Sequence, residues 1–463
     1  RAPDKAATMA VRGEGTGLSC HNAAGNAGHE LVSAGGAGVP GSSKPISVNI
    51  NYNQVGESVL TGKYTAAKDD EGDGDNEMID HGGYLTMNQN TGLSNGIEAH
   101  RKVEFVVAQG HFYNTDARYA DIVLPITTQW ERAGTFTSGN REALFLSSQV
   151  NEPLYETQDD MYVAEELAKR LGLDPNEVNP LSPNQMLFNQ MAGAKVIKSN
   201  GKEYETLLTI TADDIAELGV EGEPQKGRIT LKEFRANGVY QVERSENDNF
   251  GFTEFEDFRN DPESDPRDTP SGKIEIYSEP YAEKVTGYGF TVKGPLPSFD
   301  HVVEGIEDTY EDFDASVKGD FPLQLYTIHY QPRSHSILDH VPWLREAFPQ
   351  EFMMNPLDAE SRGIKNGDVV QITSRHGTVI RHVLTTPRMM PGVTTLGEGA
   401  WVEMDETTGI DKAGATNILN GGIYTDQGNL GFNSCNVEVK KYNGNIELLS
   451  DHKWPQRIIF KEA

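Results

Sequence analysis

Within TIHYQPRSHS (residues 327–336) stand two histidines, an arginine, a tyrosine, a threonine and two serines, directly behind the apolar run Leu323 to Tyr326. These side-chain types bind polar, anionic ligands. Arg333 offers a planar fork of donors that matches a phosphate or diphosphate. His329 and His335 each donate or accept according to tautomer, which suits the edge of a polar heterocycle. Thr327 and Ser336 add hydroxyls that rotate to fit. A polar loop with a capped turn is the competing reading. The two histidines have no carboxylate or cysteine at close spacing, so the sequence assigns no metal ligand. Acid–base work by either histidine stays open, and no residue is assigned a catalytic role.

The elements around this stretch must hold it rigidly. The apolar run reads as a strand, and loops at strand ends are where scaffolds display ligand-contacting groups. Further on, NPLDAESRG has Asn355 as cap, Pro356 at the first helical position and Gly363 as terminator, which predicts one short helix. NGDVVQITSRHGTVIRHVLTT reads as a hairpin turning near His376 and Gly377, PGVTTL follows a Pro391–Gly392 turn, and NVEVKKY comes near the end. Short strands punctuated by Gly and Pro predict a β-barrel of six or seven strands over 318–463.

Upstream the pattern changes. VEFVVAQ (103–109) and DIVLP (121–125) read as strands. Asp160 precedes a segment in which Val163, Leu167 and Leu171 recur every four residues before Gly172, an amphipathic helix, and Ser182 and Pro183 open another. Strands mixed with helices predict an α/β body over 1–317, with a Gly-rich start and an acidic, Phe-containing connection at 243–268. The overall expectation is a mixed-sheet α/β body followed by a C-terminal β-barrel.

Composition excludes several functions. A net charge of -30 repels phosphate backbones and argues against nucleic acid. No run approaches the roughly 18 apolar residues of a membrane span. Cys20 and Cys435 are too few and too far apart for an iron–sulfur cluster or zinc site, and read as separate buried thiols. KDDEGDGDNEMID lacks the Gly and Glu that a calcium loop needs after Asp73. The start, RAPDKAATMA, has neither Met nor an apolar leader and reads as internal to a longer protein.

Five motifs in order resemble the dimethyl sulfoxide reductase family of molybdenum enzymes: FYNTDARYADIVLP followed by Glu131, TPSGKIEIYS, T-x-H-x-x-x-R-x-H-S with NPLDAESRGIKNGDVVQI, PRMMPGVTTLGEGAW, and GATNILN. The resemblance implies that the barrel is the family's molybdopterin-dinucleotide-binding domain and that the cofactor is molybdenum bis(molybdopterin guanine dinucleotide). Thr327, Ile328, His329, Tyr330, Arg333, His335, Ser336 and Ile337 would then surround pterin and diphosphate, with Arg333 on phosphate or pterin. Asn417 matches the family's cofactor-contacting Asn, and Phe432 and Asn433 align with its Gly–Gln pair. The family's [4Fe–4S] cysteines and molybdenum ligand are expected only in an N-terminal half not seen here. The implied reaction is reduction of a small S-oxide or N-oxide by oxygen-atom transfer in anaerobic respiration. The implied partners are an iron–sulfur electron-transfer subunit and a membrane anchor subunit, and the implied location is the periplasm or the outer face of the cytoplasmic membrane. A reductive dehydroxylase, or a non-catalytic binding or scaffold subunit that lost the redox half, is the alternative.

Overall fold

A computed structural model describes residues 30–39, 55–65, 71–73, 78–82, 86–137, 142–251, 253, 255–287, 294–298, 301–422, 431 and 433–445. Two of the expected strands appear in a three-stranded parallel sheet. β1 (Met78–Gly82) pairs with β2 (Phe105–Gly110), which pairs with β3 (Ile122–Pro125). Parallel neighbours need a crossover, and α1 (Thr86–Gln89) and α2 (Leu93–Lys102) supply it between β1 and β2. α2 ends in Arg101 and Lys102, cations placed where the helix dipole favours them.

The expected helices follow. α3 (Asp160–Arg170) is capped by Asp159, whose side chain accepts from Met161 N, one residue earlier than the sequence suggests. The reason is geometric: the cap sits outside the helix in extended backbone, and Asp160 already has helical geometry. α4 (Pro183–Ala192) has Ser182 as cap and Pro183 at its first turn, as expected. α4 belongs to a second apolar core, in which Phe188 and Met191 pack with Val32, Val196, Leu208, Ile210 and Phe234. Much of 243–268 is exposed.

The C-terminal region closes into a barrel of six strands: β4 (Leu323–Ile328), β5 (Phe352–Met354), β6 (Val369–Thr373), β7 (Thr378–Thr385), β8 (Val393–Gly397) and β9 (Asn436–Lys441). Their order is β5–β8–β4–β9–β6–β7, and β7 pairs back onto β5. Two short strands, Ile410–Asp411 and Met404–Asp405, extend the sheet beyond the closed barrel from Thr378–Val379. Alternate residues point inward and fill the interior: Leu323 and Leu325, Val370 and Ile372, Val437 and Val439 are all buried. The hairpin of β6 and β7 turns at 374–377, and α5 (Pro356–Glu360) is capped by Asn355, whose side chain accepts from Leu357 N. Cys435 is a buried free thiol held up in pKa by burial, and Cys20 lies outside the described residues.

The two regions share a core. Met87, Leu93 and Ile97 of the crossover pack with the barrel's own Val379, Leu396 and Ile418. Thus the helices between β1 and β2 complete the apolar packing of a barrel that begins more than 200 residues later.

Candidate functional site

β4 and β8 run parallel, with Ile328 beside Gly397, so the chain leaves both strands on the same side of the barrel. This brings TIHYQPRSHS against GEGAW (397–401). The glycines permit the contact. A Cβ on Gly397 would sit 2.9 Å from the Tyr330 ring, and one on Gly399, whose φ is +89°, would sit 1.7 Å from His335 O. Two hydrogen bonds join the segments: Glu398 N donates to Ile328 O at 3.0 Å, and the Trp401 indole Nε1 donates to Ser336 O at 2.8 Å. At the base, Thr327 N donates to Asn433 Oδ1 at 2.9 Å.

Arg333 faces inward. Its side chain is 3% exposed and pairs with Asp339, whose carboxyl is fully buried, at 2.8 Å. Nη1 donates to Glu398 O, Nη2 to Gln350 Oε1, and the guanidinium lies over the Tyr330 ring. Arg345 donates to both oxygens of Asp339, and Trp401 N donates to Oδ2. Burial pushes the Asp339 carboxyl up, but Arg333, Arg345 and these donors outweigh it and hold the group below its usual value. In this arrangement the guanidinium expected on phosphate or pterin is turned to Asp339, Glu398 O and Gln350. A charge in a dry loop interior needs a compensating partner, and Arg333 already has one.

His329 and His335 are what the loop presents outward. The His329 side chain is 83% exposed, and His335 has the left-handed φ of +55°. Their Nδ1 atoms lie 3.6 and 2.9 Å from Oε1 of Glu398. The carboxylate that the local sequence lacks is supplied from the neighbouring strand end. Ile337 is partly exposed beside them, and the tyrosine hydroxyl of Tyr330 is bonded to Phe348 O.

A second cluster forms on the other side of GEGAW. Ala400 O accepts from Asn88 Nδ2 at 2.7 Å, and Asn417, in α6 (Thr416–Leu419), donates from Nδ2 to Asn88 O at 2.6 Å. Gly92 N donates to Asn420 O at 2.7 Å. In this junction Asn88 Oδ1, Asn90 Oδ1, Thr91 Oγ1 and both Oδ1 and Nδ2 of Asn420 are buried without a hydrogen-bond partner among the described residues. Such atoms cost free energy unless something fills their valence. Phe432 lies outside the described residues.

Sequence reading singles out the loop and Asn417 but misses Asn88, Thr91, Asn420, Asp339 and Glu398. Only Glu398 carries a local signal, a carboxylate between two glycines at a strand's end. The unpartnered amide and hydroxyl atoms supply mixed donors and acceptors of the kind a pterin or guanine edge requires, so this junction fits the heterocyclic part of the implied dinucleotide. Glu398 does not by itself suit the diphosphate.

Residues 323–435 match the family described as molydopterin dinucleotide binding domain, and residues 18–170 match molybdopterin oxidoreductase. The chain is 30% identical over 397 residues to dimethyl sulfoxide reductase DmsA of Escherichia coli (strain K12), an alignment covering 82% of this chain and 44% of that protein. It is 27% identical over 466 residues to trimethylamine-N-oxide reductase 1 of the same strain, covering 95% of this chain and 50% of the relative. The chain thus spans about half the length of these curated relatives. Among solved structures, acetylene hydratase from Pelobacter acetylenicus shares the fold with a TM-score of 0.56 at 20% identity, over 85% of this chain and 46% of that one. With its six-stranded barrel in the region of the dinucleotide-binding match and its α/β segment in that of the oxidoreductase match, the chain belongs to the molybdopterin oxidoreductase family.

Proposed function

We propose that the chain is the dinucleotide-holding portion of a molybdenum oxidoreductase that reduces an S-oxide or N-oxide by oxygen-atom transfer. The observation that carries this reading is the set of buried, unpartnered polar atoms on Asn88, Asn90, Thr91 and Asn420 at the seam of crossover and barrel. A dry junction built for stability alone would have no reason to keep them. The molybdenum–dinucleotide group, when bound, supplies the two-electron chemistry.

The protein's own part is positioning. Asn420 and Thr91 would bind the heterocycle from opposite sides of the seam, and Asn417 fixes α1 to the barrel through Asn88. The buried Arg333–Asp339–Arg345 group keeps the outer loop in one shape. Glycines 397 and 399 let that loop lie close to the strand end, which excludes water from beneath it. The guanine form of the dinucleotide, a [4Fe–4S] centre in the part of the relatives that this chain does not span, an iron–sulfur partner subunit, a membrane anchor subunit and a periplasmic or outer-face location all belong to the same reading. Two relatives carry the names of dimethyl sulfoxide and trimethylamine N-oxide reductases, which supports this substrate class. Among the described residues no helix is long and apolar enough to cross a membrane.

The test is retention of cofactor. The chain is mixed with molybdenum bis(molybdopterin guanine dinucleotide), passed through gel filtration, and assayed for pterin fluorescence and molybdenum. Co-elution that falls in Asn420→Ala supports the reading. No co-elution, or co-elution equal in wild type and Asn420→Ala, overturns it.

A further inference from the structure

We propose that His329, His335 and Glu398 form a site for a late first-row divalent cation of the Zn2+ or Co2+ class, with a coordination position left open to an anion. The three ligand atoms, Nδ1 of each histidine and one carboxylate oxygen, all lie within 4.8 Å of one another. Metal bonds of about 2.0–2.2 Å in a tetrahedron set neighbouring ligand atoms about 3.3–3.5 Å apart. The two measured separations, 3.6 and 2.9 Å, bracket that spacing, so small side-chain rotations close the site.

The surroundings favour a metal over a plain His–Glu ion pair. Glu398 Oε1 is buried and has no hydrogen bond among the described residues, with His335 Nδ1 2.9 Å away. The scaffold is stiff. Glu398 is fixed on both sides of its backbone, its N–H on Ile328 O and its carbonyl on the buried Arg333. His335 is held in left-handed backbone with its carbonyl against Gly399. Only His329 is loosely placed. Two imidazoles and one carboxylate leave one position open, the composition of reactive zinc sites, and imidazole selects zinc, cobalt, nickel or copper over magnesium or calcium.

The charge balance explains why such an ion would sit here. Without it, the loop presents the Glu398 carboxylate beside two imidazoles. Arg333, the nearest guanidinium in the loop, is turned inward. A divalent ion changes the site from about -1 to about +1, and its open position can take a phosphate oxygen. Only this last step, the bridge to a diphosphate, rests on the proposed function. The metal site stands on geometry alone.

The experiment is a titration of the metal-free 463-residue chain with Co2+, read by visible ligand-field absorption and checked by Zn2+ competition. One equivalent should bind with a low-coordinate spectrum. Loss of a ligating residue should weaken binding at least as much as loss of a supporting one, about 10–100-fold. Glu398→Gln and His335→Ala report on the fixed ligands. His329→Ala removes an exposed side chain and leaves packing intact, so a folded variant is available. Absence of stoichiometric binding in wild type, or binding in all three variants as tight as in wild type, overturns the site. Inorganic pyrophosphate added to the Co2+-loaded chain should shift the spectrum while cobalt stays with the protein on gel filtration. Cobalt stripped away by pyrophosphate overturns the bridge and leaves the metal site standing, whereas retention with a shifted spectrum supports both.

Discussion

Nε of Arg333 stands 2.8 Å from Oδ1 of Asp339, with 3% of one side chain and none of the other exposed to solvent. A surface pair at this distance would contribute little, but here each charge depends on the other. Were Arg333 a phosphate ligand, Arg333→Ala would spare the ligand-free fold. The buried pairing predicts the reverse. Arg333→Ala and Asp339→Ala should each cost about 3–5 kcal/mol in urea unfolding, because each strands a buried charge. The double variant should cost clearly less than the two together. Additive effects would remove the pair from the loop's framework.

The same carboxyl predicts an acid limb. Asp339 is held below its ordinary value, so the folded chain favours its ionised form more than the unfolded chain does. Its contribution to stability is complete above about pH 4–5, the unfolded carboxylate range, and drains away as pH falls through the depressed folded value. Stability of wild type should therefore fall more steeply than that of Asp339→Asn below about pH 4. Parallel acid limbs in the two proteins would count against it.

Gly399→Ala should be costly for its size. Positive φ alone strains an alanine by about 1–3 kcal/mol, and its Cβ would meet His335 O at 1.7 Å. The loop must lift to relieve this. Amide hydrogen exchange should accelerate at 333–338 and around Trp401, whose indole donates to Ser336 O. Unchanged protection in that loop would show that the contact is slack.

Asn420 and Asn417 should behave oppositely in the ligand-free chain. Asn420→Ala deletes two unsatisfied buried atoms, a gain of about 1–3 kcal/mol that offsets the cavity, so thermal stability should stay near wild type while cofactor retention drops. Asn417→Asp replaces a donor with an acceptor facing Asn88 O, so it should destabilise the chain by about 1–3 kcal/mol before any cofactor is added. Thermal melts with and without cofactor separate the two. A large loss of apo stability in Asn420→Ala would mean that the site is structural.

What was legible in the sequence was local. Caps and turns at Asn355, Gly363, Ser182 and Gly392 carry their own backbone signal, and strands such as Val369–Thr373 show alternating burial. The polar loop at the end of β4 was legible as a ligand-facing segment because strand ends display such groups. The direction of its side chains was not. Whether Arg333 points outward depends on Asp339 and Gln350, and a sequence does not state which charges are buried together. Glu398 meets His335 only because β4 and β8 are parallel neighbours, and Asn88 reaches Ala400 across the whole chain. The apolar repeat Val163, Leu167 and Leu171 was legible as a helix, yet Leu167 and Leu171 are largely exposed, since periodicity marks a face and not its partner.

The shared core has a consequence for how the chain is made. Leu93 and Ile97 leave the ribosome more than 200 residues ahead of Val379 and Leu396, the barrel residues they pack with. At about 5–20 residues per second the crossover helices spend roughly 10–60 s without those partners. During that interval their apolar side chains can find other surfaces, in this chain or in another. The barrel, arriving last, cannot close its interior until helices made first are still free to receive it. Synthesis rate and holding chaperones therefore bear directly on yield, and slowing translation between residues 100 and 320 should raise the aggregated fraction rather than lower it.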